Sequence, residues 1–93
     1  MFIGGLHTTR GVERLLINGE ISHEELWECV SRHQRRDYGT IGSDSVKINR
    51  SNLNHNCGNV MSQYEIDGTR VWIITELGDS ETTHTTILLP SEY

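Results

Sequence analysis

Val71-Trp72-Ile73-Ile74-Thr75-Glu76 is rich in β-branched and aromatic residues and holds neither Gly nor Pro, which fits a strand with one buried face. Just upstream, residues 59–66 place Val60, Ser62, Tyr64 and Ile66 on one side of a period-two pattern and Met61, Gln63 and Glu65 on the other. Asp67-Gly68 separates the two runs, and that pair suits a type I′ turn because both central residues need positive φ. Downstream, Thr85-Thr86-Ile87-Leu88-Leu89 forms a third run, ended by Pro90, which has no amide for a ladder. Three neighbouring strand patterns predict an antiparallel meander.

The N-terminal half follows a helical period. Thr8 or Thr9 offers a hydroxyl cap before Val12, Leu15 and Leu16, whose spacing makes one apolar face, and Asn18-Gly19 supplies a left-handed stop, so a first helix is expected over about Arg10 to Ile17. Ser22-His23-Glu24-Glu25 fits a capping box. In the helix it opens, Leu26, Cys29, Val30 and His33 share a face with Trp27 beside it, while Glu24, Glu28 and Arg32 face water with i, i+4 pairing. Residues 37–44 read as a structured loop. Ser43 or Asp44 then caps a weaker third helix through Val46, Lys47, Asn49, Arg50 and Leu53, its propensity lowered by Ser and Asn, with 54–59 as the link to the strands. The segment 1–7 is an edge strand or an extended arm. The expected fold is α+β: two or three short N-terminal helices on one face of a three- to four-stranded antiparallel C-terminal meander, in a single domain of residues 1–93.

Mean hydropathy is low, at −0.48, so the apolar residues must be gathered on a few faces. The formal net charge of −5 is uneven: residues 1–50 carry seven Lys/Arg against seven Asp/Glu, and 51–93 carry one against six. Such a balance disfavours a general phosphate-backbone binder, which needs dense Lys/Arg. Two cysteines are too few for a disulfide scaffold, and no run approaches the length that spans a bilayer. The expectation is a soluble cytoplasmic protein with reduced thiols and no membrane association.

The blocks Gly68-Thr69-Arg70-Val71-Trp72-Ile73-Ile74-Thr75-Glu76 and Thr85-Thr86-Ile87-Leu88-Leu89-Pro90-Ser91-Glu92-Tyr93 resemble the C-terminal blocks of a family of small proteins carried by plasmids, integrated elements and phages. His33-Gln34-Arg35-Arg36-Asp37-Tyr38-Gly39 is similar to that family's His-x-x-Gly-Asp-Trp-Gly, departing from it by Arg36 for Gly and Tyr38 for Trp. The loop 77–84 is longer than the family's and lacks its Asp-Arg-Ser. Some relatives are named as restriction-modification subunits, yet this chain holds no methyl-donor-binding motif. The resemblance implies a mobile-element origin and no particular activity.

Several constellations carry potential chemistry. Cys29 and His33 at helical spacing, with His55 and Cys57 in a turn, are the residue types of a zinc site, but the spacing matches no familiar framework and two inert thiols are the simpler reading. His33, Asp37 and Glu76, with His84 nearby, would supply acid-base pairs if the loop after helix two lay on the sheet. Against that, His33 and Asp37 suit a structural role, hydrogen-bonded to backbone amides. Arg32, Arg35, Arg36 and Tyr38 form a basic cluster able to grip a partner or a phosphate, or a solvated helix end favoured by the dipole. The loop 77–84, with Asp79, Glu81 and His84, has more length than closure requires. These two surfaces are the expected contacts. The expected function is a small non-enzymatic interaction protein of a mobile element, without cofactor, binding a host or element protein such as a defence-system component. The alternative is a small hydrolase or nuclease using His33, Asp37 and Glu76.

Overall fold

Asp67 and Gly68 hold φ of 49° and 82° in the computed structural model, which describes residues 1–93. They form the turn of a hairpin between β2 (Asn59–Ile66) and β3 (Thr69–Glu76), paired antiparallel from Asn59↔Glu76 to Ile66↔Thr69. β4 (His84–Leu88) runs antiparallel to β3 from Trp72↔Leu88 to Glu76↔His84, so the meander forms as its three patterns predict. The sheet as a whole is mixed, however. A short first strand, β1 (Gly5–Thr8), lies parallel to β4, from Gly5↔His84 to Thr8↔Ile87, and the strand order is β1-β4-β3-β2. A wholly antiparallel sheet is thereby corrected: β1 and β4 are joined only after three helices and two strands have intervened, a connection long enough for a parallel pair.

The helices are α1 (Arg10–Ile17), α2 (His23–Gln34) and α3 (Ser43–His55). α2 begins at the expected capping box: the Ser22 hydroxyl accepts from the Glu25 amide at 3.1 Å, and the Glu25 carboxylate accepts from the Ser22 amide at 3.0 Å. Its buried face is Leu26, Cys29, Val30 and His33, and Trp27 stands 59 % exposed beside it. Leu26, Cys29 and Val30, with Val12 from α1 and Ile21 from the connecting loop, pack on Tyr64, Ile66, Val71, Ile73 and Ile87 of the sheet. Every residue of the even-numbered face of β2, from Val60 to Ile66, is buried.

Caps proposed from neighbouring residues hold less well. Thr9 occupies the N-cap of α1 without a side-chain bond to it. Instead Glu92, in a short 3₁₀ turn after β4, accepts from the Gly11 amide at 3.0 Å, from the Leu89 amide at 2.9 Å and from the Thr9 hydroxyl. A carboxylate 81 residues away thus caps the helix, and the Thr9 bond above all holds it below the ordinary carboxylate range. Replacing Glu92 by Ala is expected to cost about 1 kcal/mol, the usual worth of a cap, measurable as a lower urea midpoint at unchanged slope; an unaltered midpoint would refute the capping role. α3 likewise starts at Gly42 without a side-chain cap and runs further than expected, so the link to β2 shrinks to 56–58.

Candidate functional site

His33 is fully buried where α2 crosses the sheet. Its Nδ1 meets the Ser62 hydroxyl, and its Nε2 lies 2.8 Å from Thr75 Oγ1, which lies 2.7 Å from Thr85 Oγ1. The Thr85 hydroxyl donates to the Ile3 carbonyl at 2.7 Å. Each hydroxyl has one proton, so the donors fall in sequence: Thr85 gives to Ile3, Thr75 to Thr85, His33 Nε2–H to Thr75, and Ser62 to the bare Nδ1. The imidazole is neutral, and burial pushes its pKa down to about 4. His33 is therefore bonded to hydroxyls, where backbone amides were expected.

The other members of the acid-base set lie elsewhere. Asp37 is exposed and forms a two-pronged pair with Arg32, at 2.8 and 3.3 Å, while also accepting from the Gly39 amide. Glu76 pairs with His84, its cross-strand neighbour on the outer face. No hydrogen bond or ion pair joins His33, Asp37 and Glu76. For the zinc alternative, Cys29 is buried in the core with its thiol pKa raised by desolvation, Cys57 is exposed, and His55 bonds the Ser51 carbonyl. No three His, Cys, Asp or Glu side chains gather in a metal-binding group.

The arginine cluster divides. Arg32 is occupied by Asp37 and lies over the Tyr64 ring at 4.8 Å, and Arg35 reaches Glu28 at 3.8 Å, displacing the expected Glu28–Arg32 pair. Arg36 has no carboxylate partner. It faces a hollow of about 270 Å³ between the end of α2 and α3, shared with Tyr38, Val46, Arg50 and Leu53. Arg50 escapes a reading of the sequence because nothing local indicates which face of α3 turns toward the 36–38 loop.

The loop 77–83 closes on itself. Asp79 Oδ1 accepts from the amides of Glu81 and Thr82, both at 2.9 Å, and the Asp79 carbonyl accepts from Thr83, whose hydroxyl in turn accepts from Gly78. The Glu81 and Thr82 amides are the main cause of the lowered Asp79 pKa. Leu77 bonds the Gly58 carbonyl and Asn56 bonds that of Gly78, tying the loop to the turn before β2. Asp79 thus organises the loop, while Glu81 stands exposed.

The two sheet edges differ most. On the outer edge of β2 the Asn59 carbonyl and both backbone groups of Met61 and Gln63 are taken, so that only the Asn59 amide and the groups of Glu65, toward the two ends of the strand, stay open. Asn52 Nδ2 donates to the Asn59 carbonyl at 2.7 Å, and the Asn49 side chain donates through Nδ2 to the Met61 carbonyl at 2.9 Å and accepts at Oδ1 from the Met61 amide at 3.0 Å. Gln63 gives its amide to the Tyr38 carbonyl, and its carbonyl accepts from Thr40. Gly39, at φ 70°, makes that approach feasible: a Cβ there would lie 1.9 Å from the Gln63 carbonyl oxygen. β1 has no such cover. Thr9 donates to Ile87, so His7 and Thr9 face β4, and the alternation of a strand turns the amides and carbonyls of Leu6 and Thr8 outward. Beside them opens a largely apolar cleft of about 110 Å³, lined by Leu6, Leu16, Leu26, Trp27 and Val30 among others. Comparison with family models, with curated proteins and with solved structures gives no match.

Proposed function

We propose that the protein is a small non-enzymatic interaction module that captures an extended segment of a partner protein along the free edge of β1. The contrast between the edges carries this reading. β2 is covered through its middle by three devices, as natural sheets cover edges to prevent pairing, its open groups lying only toward the strand ends, while β1 leaves four backbone groups open in succession beside an apolar cleft. An added strand would satisfy those groups, and the cleft has room for about one aliphatic side chain, being smaller than a cavity that holds benzene. Trp27, large and 59 % exposed on the cleft wall, is the type of residue that dominates such contacts. The resemblance to mobile-element proteins suggests a partner in the host or the element, a defence-system component being one such target.

Thr8→Pro removes an outward amide without touching the β1–β4 ladder, since that amide faces away from β4. Trp27→Ala removes the wall of the cleft. Both variants are expected to fold like the parent and to lose the protein that co-purifies with it from a natural host, with about tenfold weaker binding for Trp27→Ala. Retention of the partner by both variants would reject the β1 edge. A parent that is dimeric by gel filtration, with monomeric variants, would identify the occupant as a second copy instead.

A further inference from the structure

The hollow between the end of α2 and α3 is a site apart from the β1 edge. Arg36 is reached through a Schellman turn: the Arg36 amide bonds the His33 carbonyl at 3.0 Å and the Asp37 amide that of Arg32 at 2.9 Å. That turn puts its residue in left-handed backbone, and Arg36 sits at φ 66°, where glycine is the usual occupant. From there its side chain lines the hollow. Arg50 approaches from α3, and neither arginine has a carboxylate within ion-pair range. Tyr38 lines the same hollow, its ring buried against His33 and its hydroxyl bonded to no protein group. Burial raises the Tyr38 pKa against the pull of Arg36 and Arg50, so the phenol remains a donor at neutral pH. Val46 and Leu53 supply apolar floor.

We propose that Arg36, Arg50 and the Tyr38 hydroxyl form a binding site for a single phosphate monoester whose organic group rests on Val46 and Leu53. Two guanidinium forks and a hydroxyl offer donors to several oxygens of a tetrahedral anion, more than a planar carboxylate would use. A polyanion fits less well, because the chain carries a net charge of −5 and no other unpaired arginine lines this hollow.

The test is an NMR titration of the whole chain with inorganic phosphate, phenyl phosphate, benzoate and a single-stranded oligonucleotide. Phosphate and phenyl phosphate are expected to shift the amides of Arg36, Tyr38 and Arg50, phenyl phosphate the more tightly. Arg36→Gly and Arg50→Gln should each weaken binding about tenfold or more. Arg36→Gly should also raise the melting temperature, by about 4 °C, as the left-handed strain is relieved. A variant that melts higher yet binds less cannot owe its loss to unfolding. Benzoate binding as tightly as phenyl phosphate, an oligonucleotide binding more tightly than either, or full phosphate affinity in both arginine variants would each overturn the proposal.

Discussion

Acidifying the protein from pH 6.5 to 4 is expected to remove roughly 3 kcal/mol of stability through His33 alone. In the unfolded chain the imidazole takes a proton near its ordinary 6.5, whereas in the folded protein burial holds it neutral down to about 4. Between those values the unfolded state binds more protons, so stability rises with pH across the window. It is fully present above 6.5, falls as pH drops toward 4, and changes no further through this group once both states are charged. Against a total of about 5 to 15 kcal/mol for a small domain, the loss is large.

The hydroxyl chain explains why the charged form is poorly received. A second ring proton, on Nδ1, would face the Ser62 oxygen only if that hydroxyl turned its own proton elsewhere. The carboxylates titrate in a separate window. Arg32 chiefly lowers Asp37, and the Glu81 and Thr82 amides lower Asp79, so what they contribute is present above their ordinary values and lost only as pH falls below about 4. Urea titrations at several pH values between 7 and 4, on the parent and on His33→Gln, separate the two. The variant should be less stable at pH 7 and nearly flat across the window; a parent equally stable at 6.5 and 4.5 would contradict a neutral buried His33.

What was legible in the sequence was local. Asp67-Gly68, the Ser22–Glu25 box and the period-two face of β2 each act within a few residues, and each forms as expected. What escaped depends on distant partners. An edge strand within 1–7 is among the expectations and β1 is one, but its parallel pairing with β4 lies across most of the chain, so no pattern within 5–8 announces it. Glu92 capping α1 is hidden for the same reason. The candidate contact surfaces show the same division. Arg36 and Tyr38 do share a hollow, but Arg32 and Arg35 are drawn off by carboxylates within seven residues, and the missing partner, Arg50, comes from another helix. The asparagines of α3 are the clearest instance: by propensity they only weaken the helix, yet two of them seal the sheet.

Asn49→Ala is therefore expected to destabilise the protein even though it improves the helix. Alanine gains at most about 0.7 kcal/mol of propensity over asparagine. Against that, the substitution removes both bonds between the Asn49 side chain and Met61, at 2.9 and 3.0 Å, in a place where Asn49 is only 2 % exposed. Each part-buried backbone group left unpaired costs about 1 to 3 kcal/mol, so the net loss should be about 2 kcal/mol. Asn52→Ala breaks a single bond to a more exposed carbonyl and should lose less than half as much. The consequence extends beyond stability, since Met61 lies in the middle of the β2 edge, and opening it offers a second strand-pairing template to match β1. Hydrogen exchange at the Met61 amide, slow in the parent and fast in Asn49→Ala, would locate the effect, and the variant should aggregate at concentrations the parent tolerates. If the Met61 amide stays protected and the urea midpoint of Asn49→Ala equals that of the parent, the β2 edge is held by something other than Asn49, and the contrast between edges loses its meaning.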